Sequence, residues 1–450
     1  MWEGGLSLLK SVWNFTDDSG AAVKISEAMF PSPFHSGLEY GAPARGCWNI
    51  VHTGMLIPEA HQVFVCASGC LRGVVLTAAE MGAAHRFSTV EIRENNVLDG
   101  DMEELIIDGV SDVLSRLPKL PPAVLIYTSC IHHFMGCDLP RVYRILREKF
   151  PGVAFTDCYM NPIMRKSGAT PDELMRRQLY SLLEETTKDP KSVNIIGNDL
   201  AFEQDSDHIE LIKNSGWTLR DITACKSYDE YKEMSKASFN IYNIPAARLS
   251  AMQLERRLGQ SCLYMPQCFG YDEISRSMEQ LAEMLGIKPL NDAAKRKAAD
   301  NSLEKALSVI GDTPIAIDYT FSFRPLSLTR LLLEKGFRVT EVYADGFIAE
   351  ERADFEWLQQ NHPELKICAT LHAKRRVLSR QREEKILALG QKAAYFTGTD
   401  YFVNLVEGGG LYGFNGIIKL AGLMAEGYLT PKDTRKLIQI KGMGSEGCCL

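Results

Sequence analysis

At 450 residues and a net charge of −7, the chain is too long for one hydrophobic core and too acidic to have nucleic acid as its main partner. Hydrophobic residues make up 45% and charged residues 24%, with no low-complexity tract, which excludes a disordered chain. No apolar run reaches the length of a bilayer and LSLLKSVWNF lacks the layout of a signal peptide, so a cytoplasmic protein is expected. In that compartment twelve cysteines point to metal binding or packing, not to a disulfide framework.

Residues 1–45 carry Pro31, Pro33 and Pro43 and no strong period, and read as an irregular N-terminal arm that wraps or contacts a partner. Regular alternation follows. A strand at 61–66 leads through Ser68-Gly69 into a helix from about Leu71, and a short strand is expected at Ser88–Ile92. DMEELIIDGVSDVLSRL places Met102, Leu105, Ile106, Val110, Val113, Leu114 and Leu117 on one helical face. A strand at 122–128, a helix from about Leu139, the strand VAFTDC and a helix opened by Pro171 and running to about Thr187 complete a first Rossmann-like domain, 46–190.

A second such domain, 191–287, starts at SVNIIGND and continues through a helix at 206–214, the strand SFNIYN, a helix at 246–258, the strand CLYMP and a helix at 271–286. Residues 288–312, rich in helix formers and largely polar, read as a connecting helix. The third domain, 313–450, takes PIAIDY, RVTEVYA, KICA and AAYFT as strands and RPLSLTRLLLEKG, ERADFEWLQQ and QREEKILALG as helices. The fold class is therefore α/β: three Rossmann-like domains with mainly parallel four- to five-stranded sheets flanked by helices.

Two cysteines, Cys70 and Cys130, fall at equivalent strand-to-helix corners, so one edge of one sheet presents both. With Cys47, and with Cys66 and Cys137 as neighbours, they form a set of soft ligands suited to an iron–sulfur cluster or zinc. The competing reading is that they are small buried hydrophobes, and Cys66, inside its strand, is assigned that role. Of His132 and His133, adjacent and so pointing apart, at most one faces such a site, and a supporting role is assigned. Cys448 and Cys449 receive no role.

In EGGGLYGFNG, the glycines Gly408, Gly409 and Gly410 let backbone approach a cofactor or turn tightly, and an anion fits the N-terminus of the helix that follows, though the glycine spacing is not that of a nucleotide fingerprint. No GxxxxGK[ST], HExxH or GxSxG occurs, which excludes P-loop ATP hydrolysis and those two hydrolase chemistries.

The combination of GCWN at Cys47, SGC at Cys70, TSCIHHFMGCD at Cys130 and LYGFNG in the last domain resembles the nitrogenase component 1 family, over about residues 40–425. The resemblance implies that Cys47, Cys70 and Cys130 are metal ligands holding half of an iron–sulfur cluster at a subunit interface. That cluster would be [4Fe-4S] or a P-cluster-like [8Fe-7S]. It also implies a second component 1 subunit, the same or a related chain, and an ATP-hydrolysing iron–sulfur reductase as partners. A second metallocofactor or a substrate would occupy the interdomain cleft.

The chain departs from nitrogenase α subunits where those anchor their cofactor. Ile244 stands near the position of the Cys ligand, and YFVNLVEGGG, with Val403, has no His. A β-type subunit or a nitrogenase-like reductase is expected. Its role would be to take electrons from the reductase and reduce a small molecule; the alternative is a non-catalytic scaffold for metallocluster assembly.

Overall fold

The computed structural model describes residues 15–44, 50–160, 168–288 and 291–439. In chain order the strands are β1 (Ala22–Lys24), β2 (His61–Cys66), β3 (Phe87–Glu91), β4 (Ala123–Ser129), β5 (Ala154–Met160), β6 (Ser192–Ile196) and β7 (Thr218–Asp221). They continue as β8 (Phe239–Tyr242), β9 (Ser261–Tyr264), β10 (Ile315–Asp318), β11 (Val339–Tyr343), β12 (Lys366–Cys368), β13 (Leu387–Leu389) and β14 (Phe402–Val403). They form three sheets, ordered β3-β2-β4-β5, β7-β6-β8-β9 and β1-β12-β11-β10-β13-β14. Every pairing is parallel except β1 on β12.

Among the described residues the chain divides into two compact units. One, residues 50–201 and 211–266, contains both four-stranded sheets. Strands β2 and β4 are buried along their whole length, as parallel strands covered on both faces must be. Phe64, Cys66, Leu125 and Tyr127 face one core, and Val63, Val65, Val124 and Ile126 face another beneath the helices Met102–Arg116 and Leu139–Lys149. The helix Pro171–Leu179, capped by Thr170 and opened by Pro171, joins the two sheets. Its Arg176 is buried and forks onto Asp199 at 2.7 and 2.9 Å. The Gly197 amide donates to the Tyr180 hydroxyl at 2.8 Å.

The other unit, residues 15–44, 202–210 and 267–439, holds the six-stranded sheet. Of the arm, Ala22–Lys24 adds an antiparallel edge strand, so this part docks on its own chain. The helix Ala293–Ile310, polar on most faces, buries Ala299, Leu303, Ala306 and Ile310 in the core of this unit.

Two elements differ in type from expectation. KILALG is a strand, Leu387–Leu389, and the expected strand AAYFT lies in the helix Gln391–Thr397. Both runs are short and fully buried, so neither carries a solvent face from which a period can be read. Gly390 decides between them: at φ 108° it breaks the chain after β13, and the Ala393 amide then donates to Asp318 at 2.7 Å. The helix from Pro171 stops at Leu179, short of Thr187, and β7 (TLRD), a polar edge strand, adds to the expected pattern.

Candidate metal centre

The cysteine corner is built by two neighbouring strands. Strand β2 runs beside β4 with Val65 opposite Thr128, so both chains leave the sheet at the same edge. The first enters the helix Ser68–Glu80, whose first turn carries Cys70; the Cys70 amide donates to the Ala67 carbonyl at 2.9 Å. The second enters a short helix, Cys130–Met135, with Cys130 as its first residue. Cys70 is exposed and Cys130 partly so, while Cys66, at the end of β2, is buried. Burial, and then the neighbouring Cys70 and Cys130, push the Cys66 thiol up to about 12. Cys70 and Cys130 therefore share one neighbourhood. Cys47 lies outside the described residues, as do Cys448 and Cys449.

The histidines separate as their adjacency requires. His132 is buried, and its Nδ1 accepts the Ser129 amide at 3.1 Å, so the ring caps the helix that carries Cys130. Burial holds its pKa down, against the Ser129 bond and Glu103. His133 lies against Phe134. Cys137 follows Gly136 at the far end of that helix, its thiol raised by burial and by Glu103. Among the described residues no three Cys, His, Asp or Glu side chains gather closely enough to hold a single ion.

The two helices that begin at the cysteines keep apolar side chains in solvent. Val75 is 42% exposed, Leu76 40%, Phe134 68% and Met135 43%. On the first helix only Val74 and Ala78 are buried, and a Cβ on Gly69 or Gly73 would meet nothing.

The glycine loop lies in the other unit and is spent on its own chain. The Gly408 amide donates to the Phe321 carbonyl at 2.7 Å and the Gly409 amide to Val406 at 2.9 Å. The Gly410 carbonyl accepts from the Glu203 amide at 3.0 Å. Gly408 has φ 76° and a Cβ there would stand 2.4 Å from Gln267 Nε2; on Gly409 it would collide with Leu405. The N-terminus of the helix Gly413–Leu429 is occupied by the Asp207 carboxylate, which accepts from the Phe414 and Asn415 amides and pairs with Lys295. Ile244 is buried at the turn after β8, and Val403 is buried in β14.

Three sheets of mainly parallel strands flanked by helices, with thiols at neighbouring strand ends, define an α/β protein of the nitrogenase-like class. Residues 51–425 match the model of the nitrogenase component 1 type oxidoreductases, and the chain belongs to that family. It is similar to the nitrogenase iron-molybdenum cofactor biosynthesis protein NifE of Clostridium pasteurianum, with 25% identity over 251 residues. That match covers 54% of this chain and 52% of NifE, so the chain spans about half the length of the curated relative it matches. The solved structure of nitrogenase Cp1 at pH 6.5 superposes with a TM-score of 0.65 at 13% identity, over 88% of this chain and 94% of the other. Cp1 at pH 5 gives 0.59 at 13%, over 92% and 94%. At that identity the likeness is one of fold. No helix among the described residues is long and apolar enough to cross a membrane.

Proposed function

We propose that the chain is a cytoplasmic subunit of a nitrogenase-like reductase. It holds an iron–sulfur cluster through Cys47, Cys70 and Cys130 at a subunit interface. It takes electrons from an ATP-hydrolysing iron–sulfur reductase and passes them to a small-molecule substrate. The observation that carries this reading is the corner itself: accessible Cys70 and Cys130 at adjacent strand ends, beside solvent-exposed apolar helix faces.

The donor set fits a cluster. Thiolates are its ligands, and soft sulfur at an exposed edge can be reached by iron and sulfide. The bound cluster would supply one-electron storage at low potential. The protein's part is to place the thiols, to exclude water with a covering subunit and to set the hydrogen bonds around the sulfurs. His132 contributes by capping the helix on which Cys130 stands. The glycine loop offers no free amide at Gly408 or Gly409, so no ligand is assigned there.

A second reading, a scaffold on which a metallocluster is assembled, is favoured by the likeness to NifE, whose name describes cofactor biosynthesis. One experiment separates the two. Anaerobically reconstituted protein is mixed with an iron-protein-type reductase and ATP and supplied with candidate substrates. Sustained turnover supports the reductase. Release of an intact cluster to an acceptor protein, without turnover, supports the scaffold. Unchanged iron and sulfide content in Cys70→Ala removes both.

A further inference from the structure

A cavity of about 560 Å³ opens where the chain leaves the helices Gln391–Thr397 and Gly413–Leu429. Its wall carries the cations Arg380, Lys432 and Arg435 and the carboxylates Asp400 and Asp433. All five belong to the unit of the six-stranded sheet. The wall is built by short ties between the two segments. The Lys432 amide donates to the Asp400 carbonyl at 2.7 Å, and the Thr434 hydroxyl donates to the Thr399 carbonyl at 3.2 Å and to the Asp400 carboxylate. Gly398, at φ 69°, admits the Arg380 backbone, because a Cβ there would stand 2.5 Å from the Arg380 carbonyl oxygen.

The charges of this cavity are not matched to one another. In the groove at the strand starts, Arg338 pairs with Glu384 at 3.0 Å, Arg382 with Glu341 at 3.2 Å and Lys366 with Asp18 at 3.3 Å. Here the cations are held by other groups. The Arg380 guanidinium lies 3.6 Å over the Tyr395 ring and donates to its hydroxyl, which bonds Tyr40 at 2.9 Å. Lys432 Nζ donates to the Phe402 carbonyl at 3.1 Å and meets exposed Glu426 only at 3.8 Å. Arg435 is exposed and makes no ion pair among the described residues. Asp433 accepts the Lys436 amide at 2.9 Å through one oxygen.

We propose that this cavity binds an α-amino dicarboxylate, a molecule with the charges of glutamate or aspartate. Three cations and two carboxylates leave one net positive charge on the wall. The ligand carries the complement: two carboxylates for the cations, one ammonium for the aspartates and one net negative charge. Stacking on Tyr395 fixes the plane of the Arg380 fork, which suits it to a carboxylate. The volume lies in the range of small-molecule sites. Inorganic phosphate supplies charge for the cations but no ammonium for Asp400 and Asp433. The proposal is independent of the cluster reading, since every group named lies in the six-stranded unit and needs no iron.

The test is isothermal titration calorimetry of the full apo chain with L-glutamate, glutarate, which lacks the ammonium, and inorganic phosphate. Wild type should give a saturable heat with glutamate, at one site per chain, that weakens with added salt. Glutarate and phosphate should bind at least about tenfold more weakly, and Arg435→Gln and Arg380→Gln should each lose at least about tenfold for glutamate. Asp433→Asn should weaken glutamate and strengthen glutarate. No saturable heat in wild type would overturn the proposal. So would unchanged affinity in Arg435→Gln, or glutarate or phosphate binding as tightly as glutamate, the mark of an unselective basic patch. Circular dichroism controls for folding, and exposed Arg435 decides the matter where Arg380→Gln does not fold.

Discussion

Replacing Arg176 with Met tests the joint that holds the cysteine-bearing sheet to its neighbour. The guanidinium is 1% exposed and Asp199 4%. Nε reaches Asp172 at 2.9 Å, Nη1 and Nη2 reach Asp199 at 2.7 and 2.9 Å, and Nη1 also donates to the Gly197 carbonyl. Methionine keeps much of the apolar stem but leaves Asp199 buried without its partner. Removing one member of a buried pair costs about 3–5 kcal/mol. Against a domain stability of about 5–15 kcal/mol, that is a large fraction. Asp172, 23% exposed, can rehydrate, so the cost falls mainly on Asp199. The assay is urea denaturation of the apo protein followed by circular dichroism, with Asp199→Leu and the double variant completing a cycle. The double variant should recover most of the loss, because it removes the stranded charge. A loss below about 1 kcal/mol in Arg176→Met, with no coupling in the cycle, would refute the account of this joint.

Three further predictions concern the glycine-loop unit. His208 is buried between Phe202 and Tyr412, and burial pushes its pKa down to about 3. A depressed histidine contributes stability present above its unfolded value of 6.5 and lost as pH falls toward 3; His208→Phe should flatten the stability–pH curve in that window, and an unchanged slope would contradict it. Asp207→Ala should cost about 1–3 kcal/mol by exposing the amides it caps. It should also create a phosphate site, so that phosphate raises the melting temperature of the variant and not of wild type. Gly408→Ala, with φ 76° and Gln267 in the way, should lose about 1–3 kcal/mol, read as a lower urea midpoint.

Much of the fold was legible because parallel strands and their helices leave long, repeated patterns. Strands β2, β4 and β5 and the amphipathic helix Met102–Arg116 fall where their residues predict. The failures came where tertiary burial erases the period, at Leu387–Leu389 and Gln391–Thr397, or where an edge strand is polar, at Thr218–Asp221. The corner was legible for Cys70 and Cys130 from their strand-to-helix setting. Cys66, inside an apolar strand, reads as core, and it lies buried in the core with Phe64 and Tyr127. The glycine loop reads both ways in the sequence, as ligand approach or as a tight turn, for a physical reason. Glycine permits close approach of a ligand or of the chain's own side chains, and only the fold shows Gln267, Leu405 and Asp207 in that space.

Open α/β sheets bind ligands where neighbouring strands send their connections to opposite sides, and the type of ligand follows from what stands there. In the six-stranded sheet that crevice lies between β10 and β13. It is filled by Asp318, fully buried and accepting from the amides of Thr320, Phe321 and Ala393 at 2.8, 3.1 and 2.7 Å. A phosphate would meet a carboxylate there, as it would at the helix end held by Asp207. At the cysteine corner, among the described residues, no such carboxylate ties the ends of β2 and β4 together; the Cys70 thiol and apolar groups stand open there beside Ser68, Arg72 and His133. Nucleoside triphosphates should therefore leave thermal unfolding of this protein unchanged, while anaerobic iron and sulfide raise its midpoint. A nucleotide-dependent shift without any response to iron would reverse the argument.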